Sequence, residues 1–494
     1  MEVSEKKSDR HASEPLSRKV VKGGVWVLTL RIVSRGVGFI RTIVLARLLT
    51  PEDFGLFGIA LLSIATLETF SQTGLQTALI QKKENIESYL DTAWTVSAIR
   101  GTILFLILFF SAPLIARFFS SPEADLIIKV IAISTLVSGF KNIGVVFFQK
   151  DMEFNKQFVY EISGTLVDLS VAVTLAYTLN NVWALVWGGL AGSLVRLFMS
   201  YAVQPYRPRI KLERDKFNHL FGFGRWVLGS SILVFLITQG DDIFVGRFLG
   251  LAALGFYQMA YVLSNLPTTE IAHVISQVTF PAYSKLQDDV SKLKQAYLKV
   301  LQLTAFIAIP LAGGIFILAP EFTQIFLGFK WIPMVPAIQI LALAGLLRSI
   351  AATTGPIFHG VGRPKTDTVW QIIRLTVLAA LIYPLSTNWG ILGTSIAVLL
   401  SISIATIGFS IEVIKITKCG KHNFLKMTIF PISNTIIMIS ILYTLKYIFL
   451  LKTISTFVIF IIIGLFIYVS ISVLFDKLLN YGINTLLKES IQAL

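Results

Sequence analysis

"ARLLTPEDFGLFGIA", Ala46 to Ala60, and "GRFLGLAALGFYQMA", Gly246 to Ala260, align without a gap at an offset of 200 positions. Arg47 falls on Arg247, Leu49 on Leu249, Gly55 on Gly255 and Ala60 on Ala260. In the same register "GVWVL" (Gly24 to Leu28) falls on "GRWVL" (Gly224 to Leu228). A chain that says nearly the same thing twice is built from two related halves. What lies between the copies decides which kind.

Long apolar blocks lie between them. Of the 494 residues 54% are hydrophobic and only 14% charged, against about 25% charged in a soluble domain. A spanning helix takes about 20 mostly apolar residues. On that measure the chain predicts about fourteen, near 22–45, 54–80, 90–116, 125–149, 157–179, 182–203, 219–247, 252–279, 297–319, 334–358, 366–385, 388–412, 424–445 and 454–476. Asn180 and Asn181 mark the turn between the fifth and sixth. The polar first 22 residues, with no cleavage site after the first apolar block, read as a cytoplasmic tail and a retained helix.

The net charge of +15 forms no soluble basic face, which speaks against nucleic acid. With a cytoplasmic N-terminus, most Lys and Arg fall in inner segments, for example Lys82 and Lys83, Arg207 to Lys216, and Lys415 to Lys426. The outer segments keep only Arg47, Arg117, Arg247, Lys330, Lys446 and Lys452. That is the positive-inside asymmetry of an inner-membrane protein with both termini cytoplasmic. The basic residues then set topology and touch acidic lipid headgroups. One cysteine, Cys419, and five scattered histidines offer no disulfide, metal cluster or HExxH pair.

Helices one and seven are six spans apart and cross in the same direction. The repeat is therefore parallel, with two six-helix lobes at 22–205 and 219–412, a linker at 206–218, a tail at 1–21, and two further helices and a tail in 413–494. The expected fold class is an all-α integral membrane protein of 14 transmembrane helices. Two such lobes around a central cavity suit alternating access. Gly55 and Gly255 are expected at tight outer turns.

Several stretches resemble a known family. They are "LARLLTPEDFGLFGIA" (Leu45 to Ala60), "GLQTALIQKKE" (Gly74 to Glu84), "QKDMEFNK" (Gln149 to Lys156), "FPAYSKLQDDVSKLKQAYLKVL" (Phe280 to Leu301) and "GFKWIPMVPAIQILALAGLLRSI" (Gly328 to Ile350). They resemble the polysaccharide, Wzx-type flippase branch of the multidrug/oligosaccharidyl-lipid/polysaccharide exporters, which includes the colanic-acid and teichuronic-acid exporters. The likeness covers roughly the first 360 residues. It implies movement of an undecaprenyl-pyrophosphate-linked oligosaccharide from the inner to the outer leaflet. It also implies a polysaccharide polymerase and glycosyltransferases as partners. The family has no shared catalytic motif, so site residues follow from physics alone.

A charge near the bilayer centre costs at least about 2.5 kcal/mol and so marks a wet cavity or a partner. Arg31, Arg35 and Arg41 lie within about 120° of one helix face. A cationic wall is what a pyrophosphate needs, because guanidinium binds phosphate oxygens bidentately; the alternative is an internal ion pair. Arg348, Arg374 and Gln72 are further substrate-contact candidates. Glu68, Asp168, Asp241, Asp242 and Glu270 are candidates for Na⁺ or H⁺ coupling, or for simple charge balance with the arginines. No cofactor is expected. "SKLQDDVSKLKQAYLK" (Ser284 to Lys299) reads as a charged amphipathic helix on the cytoplasmic surface.

Three other functions compete. A membrane polymerase or ligase would want a sizeable soluble loop, and no GxxxxGK[ST] motif supplies ATP hydrolysis. A multidrug or cation antiporter favours an acidic cavity, whereas helix one is basic. An inert scaffold has no reason to bear buried charge.

Overall fold

The computed structural model describes residues 16–71, 79, 86–449, 451–479, 481 and 482. Among them all regular structure is helical. The helices are α1 (Leu16–Leu48), α2 (Pro51–Phe70), α3 (Glu87–Phe118), α4 (Ala124–Gly139), α5 (Val146–Lys150), α6 (Phe154–Leu179), α7 (Trp183–Val203) and α8 (Arg214–Phe248). They continue with α9 (Leu251–Lys285), α10 (Val290–Phe322), α11 (Val335–Ala352), α12 (Gly355–Gly360), α13 (Pro364–Thr417), α14 (Lys421–Ile448) and α15 (Ile454–Leu479). Among the described residues nine helical segments are long and apolar enough to cross a membrane, or ten if α4 and its bent continuation count as one. Large apolar side chains face outward, as Phe110 at 73% exposure and Phe466 at 72% do. In water that arrangement is costly; in hydrocarbon it is the favourable one. The protein is a multi-pass membrane protein.

The chain forms two compact units, Met1–Phe235 and Leu236–Leu494. The repeated stretch closes the same junction in each. Leu49 N donates to the Leu45 carbonyl at 2.8 Å, and Leu249 N to Val245 at 2.9 Å. Phe54 N donates to Thr50, and Leu254 N to Gly250. All four bonds keep the offset of 200. The two junctions are capped differently. Thr50 accepts from Asp53 N at 3.3 Å while Asp53 Oδ2 accepts from Thr50 N at 2.9 Å, with Pro51 opening the helix. That reciprocal pair satisfies two otherwise orphaned donors. Gly250 instead takes φ +89°, which only glycine adopts freely. Gly55 and Gly255 are not turn residues, contrary to expectation: both are buried inside α2 and α9. The turns fall five residues earlier.

Two more expectations change. The fourth predicted span is bent by 71° between α4 and the helical piece Ile143–Lys150. Asn142 makes the bend. Its Oδ1 accepts from Gly144 N at 2.9 Å and its backbone N–H donates to Ser200 Oγ at 3.0 Å. Side-chain bonds of this kind compete with the helical ladder. The stretch Ser284–Lys299 is not a separate surface helix. α9 runs to Lys285, and α10 starts at Val290 behind Asp289, whose side chain accepts from Lys292 N at 3.0 Å. Leu293, Tyr297 and Leu301 repeat every four residues and are buried with Ile357 and Phe409. That stripe draws the segment into the core.

α13 has 54 residues, and straight it would be about 81 Å long. Gly390, at φ 57° and ψ −138°, breaks it. Ser386 Oγ and Thr394 Oγ1 are 2.8 Å apart, although eight residues of helix span about 12 Å. The chain therefore folds back at Gly390 into two antiparallel limbs. Further along the limbs, a Cβ on Gly408 would meet the Trp370 ring at 2.3 Å, the contact expected of that pairing. In the C-terminal unit α14 and α15 pack on α10: Lys446 pairs with Glu321 at 2.6 Å, and Tyr468 OH donates to the Phe306 carbonyl at 2.9 Å.

The segment Gln204–Glu213 is not helical, yet it is not loose. It lies as a strap along α3. Asp91 Oδ1 accepts from the Tyr206 hydroxyl and from Arg209 N at 2.9 Å. Thr95 Oγ1 accepts from Lys211 N at 3.0 Å, and Asn142 Nδ2 donates to the Tyr206 carbonyl at 2.6 Å. Burial, then the Asp91 carboxylate, pushes the Tyr206 phenol above its ordinary value. A raised folded value stabilises the neutral donor. Its contribution is complete below about pH 10 and is lost only as pH climbs through the folded value. Asp91→Ala should therefore speed trypsin cleavage at Arg207, Arg209 and Lys211 about 10–100-fold at pH 8, the cost of two bonds to a charged acceptor. Equal cleavage rates in both proteins would show that the strap is held by something else.

Candidate functional site

In the N-terminal unit α1 brings Arg41 against Asp168 of α6. Nε and Nη2 donate to Oδ1 at 3.2 and 3.0 Å. Two glycines on α7 make room. A Cβ on Gly188 would sit 2.8 Å from Asp168 Oδ1, and one on Gly192 2.9 Å from Asp168 Cβ. On the same helix as Arg41, Arg31 is half-buried and Arg35 exposed. The three arginines share a face, but Arg41 is turned to a carboxylate of its own unit. Glu68 is exposed near the end of α2, where its carbonyl accepts from Arg100 at 3.1 Å. Gln72 and the side chain of Glu270 lie outside the described residues.

The C-terminal unit gathers more. Asp241 and Asp242 on α8 are 2% and 8% exposed. The Tyr257 hydroxyl donates to Asp241 Oδ2 at 2.7 Å, while Asp242 Oδ1 has no hydrogen-bond partner among the described residues. Tyr257, Tyr261 and Asn265 stand at i, i+4 and i+8 on α9. Arg348 of α11 reaches this stripe: Nη1 donates to Asn265 Oδ1 at 2.7 Å, and the guanidinium lies 5.2 Å from the Tyr261 ring centre. A guanidinium over an aromatic face gains from the ring quadrupole.

Beyond Arg348 opens a cavity of about 660 Å³. Asp367, Gln371 and Arg374 line it from the first limb of α13, and Thr406 from the second. Their spacing of four and three residues puts the first three on one helix face. At one side His359 of α12 stands 3.5 Å from Asp367. Arg374 Nε, Gln371 Oε1 and Thr406 Oγ1 are shut off from solvent and have no hydrogen-bond partner among the described residues. The structure thus brings Arg348 and Arg374 to one cavity, and it keeps Asp241 and Asp242 together on α8. Residues that the sequence did not single out are Tyr257, Tyr261, Asn265, Gln371 and Thr406. The signal for the α9 set was the four-residue spacing, which is also that of an ordinary core stripe.

Comparison with known proteins places this arrangement. The family of polysaccharide biosynthesis proteins matches residues 44–336, more than half of the chain, including the repeated stretches 46–60 and 246–260. The chain belongs to that family. Arg348 and Arg374 lie beyond the matched stretch. Among relatives, the lipopolysaccharide biosynthesis protein WzxC of Escherichia coli is 27% identical over 79% of this chain and 80% of its own. The succinoglycan biosynthesis transport protein ExoT of Rhizobium meliloti is 26% identical over 72% of each. The lipid II flippase MurJ in an inward closed conformation shares the fold, with a TM-score of 0.76, 17% identity, and 92% of this chain and 99% of that one covered. This family member is therefore a membrane protein with the helical fold of a lipid flippase. The match supplies no catalytic motif.

Proposed function

We propose that the protein is a flippase that carries an undecaprenyl-pyrophosphate-linked oligosaccharide from the inner to the outer leaflet, for polysaccharide assembly. The observation that carries the reading is a coincidence. Relatives named for polysaccharide biosynthesis and transport match along most of the chain, and the backbone follows a lipid II flippase. The reading includes fourteen spans in two six-helix lobes plus two, both termini in the cytoplasm, and the inner membrane as location. The fold-back at Gly390 supports that count, because it makes two limbs of one long helix. In this reading the sugar crosses by alternating access while the lipid tail stays in the bilayer. Arg31 or Arg35 contacts the pyrophosphate, with Arg348, Arg374 and Gln72 as further contacts, while Arg41 is held by Asp168. Glu68, Asp168, Asp241, Asp242 and Glu270 couple an ion or balance charge; Asp241 and Asp242 are the buried adjacent pair, suited to Na⁺ or H⁺. A polymerase and glycosyltransferases act beside it.

The test uses liposomes with a fluorescent undecaprenyl-pyrophosphate oligosaccharide and measures how fast the headgroup becomes accessible on the far side. Arg35→Ala should slow protein-dependent movement about tenfold, the worth of one charge-assisted contact. Runs with and without Na⁺ and proton gradients identify the coupling. Absence of movement under every gradient, together with export of a cationic dye, would replace this reading with a drug antiporter.

A further inference from the structure

In the N-terminal unit α3 passes into α4 through a tight turn. Ser120 takes φ 54°, the left-handed conformation that closes many helices. Its N–H donates to the Arg117 carbonyl at 3.1 Å, and the Ser121 N–H to the Ala116 carbonyl at 2.9 Å. Ser121 is thereby tucked in, at 2% exposure. Beside the turn lies a crevice of about 460 Å³, where Arg117, Ser121 and Asp125 meet Pro113, Ala116 and Pro122. That volume is in the range of sites for organic ligands, about 300–1,000 Å³.

The charges of the crevice do not cancel. Lys129, one turn along α4, gives Nζ to Asp125 Oδ2 at 3.0 Å and lies 5.6 Å from the Phe109 ring centre. That pair balances itself. Arg117 is exposed, and among the described residues it pairs with neither Asp125 nor Glu123. One positive charge is left over. Two polar atoms are left over as well. Ser121 Oγ and Asp125 Oδ1 are shut off from solvent and have no hydrogen-bond partner among the described residues. Groups in that state call for a partner from outside. The guanidinium wants an oxyanion. The carboxylate oxygen can only accept, so it wants a hydroxyl or an amine, and the serine hydroxyl serves either.

Next to the crevice α3 carries an apolar row. Phe110, Leu114 and Phe118 follow at four-residue spacing, and all three are exposed. Arg117 stands about 60° round the helix from Leu114. A ligand seated on Arg117 therefore has hydrocarbon-facing surface within reach. A free ion or a soluble sugar has no use for that row, and a lipid has.

We propose that this crevice holds a bilayer phospholipid. Its phosphate sits on Arg117, a headgroup hydroxyl or amine on Asp125 Oδ1 and Ser121, and an acyl chain along Phe110, Leu114 and Phe118. Phosphatidylethanolamine and phosphatidylglycerol both carry such a donor; phosphatidylcholine has the phosphate without it. The lipid is a resident of the protein and not its cargo, so the proposal stands apart from the transport reading.

Native mass spectrometry of the full chain in dodecyl maltoside tests it. The probes are the dioleoyl forms of the three lipids, with glycerophosphoethanolamine as a headgroup without chains. The first adduct should form with phosphatidylethanolamine or phosphatidylglycerol about tenfold more readily than with phosphatidylcholine. Binding of the first alone names the donor as an amine, and of the second alone as a hydroxyl. The soluble headgroup should give no adduct. Arg117→Gln should weaken binding about tenfold. Ser121→Ala should weaken it about three- to tenfold and leave the melting temperature unchanged or raised, since the hydroxyl it removes has no partner among the described residues. The proposal is overturned if phosphatidylcholine binds as tightly as the other lipids, if the soluble headgroup binds as tightly as they do, or if both variants bind like the native chain. None of these outcomes bears on the liposome assay.

Discussion

Gly393→Ala should be among the most damaging single-methyl additions in this protein. Its Cβ would stand 1.9 Å from the Leu385 carbonyl oxygen, a backbone atom of the facing limb that cannot turn away. The limbs of α13 would have to part. Gly390→Ala is damaging for another reason: φ 57° with ψ −138° is a region that a side chain makes expensive, about 1–3 kcal/mol. Gly393→Ala should cost at least as much. Gly314→Ala in α10 is the contrast, because among the described residues nothing beyond its own stretch of helix lies within 4 Å of its Cβ position. Alanine there should be neutral or stabilise by up to about 1 kcal/mol. Thermal unfolding of the three variants in detergent checks the order. A stable Gly393→Ala protein would mean that the helix does not double back where we place the turn.

The second large effect lies at Arg41 and Asp168. Their side chains are 17% and 20% exposed, so solvent screens the pair only in part. Removing one partner leaves the other charge stranded, which costs about 3–5 kcal/mol in a fully buried pair and less here. Asp168→Asn and Arg41→Gln should each destabilise by about 2 kcal/mol, and the double variant should recover about 1–3 kcal/mol of the sum. Added salt should change this little. Strict additivity in the thermodynamic cycle would show that the two groups do not depend on one another. Coupling would in turn set Arg41 apart from Arg31 and Arg35, as an anchor of α1 to α6.

Sequence and structure agree most closely at the repeated junctions. The offset of 200 proved accurate to single hydrogen bonds, because a short junction between two helices leaves few backbone solutions. The same pattern misplaced Gly55 and Gly255. Glycine permits a turn, but it equally permits close helix packing, and composition does not separate the two. The run of Lys and Asp near Lys292 suggested a surface helix; the buried stripe through Leu293, Tyr297 and Leu301 overrode it. Asp168 was visible as a mid-span charge, whereas its partner lay 127 residues away and no local spacing could name it. Arg348 and Arg374 were visible for the same reason. Their shared cavity was not: the fold-back itself was legible as the turn between spans 366–385 and 388–412, but how the two limbs face one another was not.

The strap along α3 also decides how much slack the chain has after its first seven helices. Ten free residues could reach about 34 Å and would act as a loose tether of low effective concentration. Residues 204–213 supply almost none of that contour length, because Asp91, Thr95 and Asn142 hold the backbone at Tyr206, Arg209 and Lys211. The strap therefore leaves no slack before α8, which begins at Arg214. A chain cut between Tyr206 and Lys211 would strand anchors on both fragments. One cut after Glu213 would leave every anchor with the first.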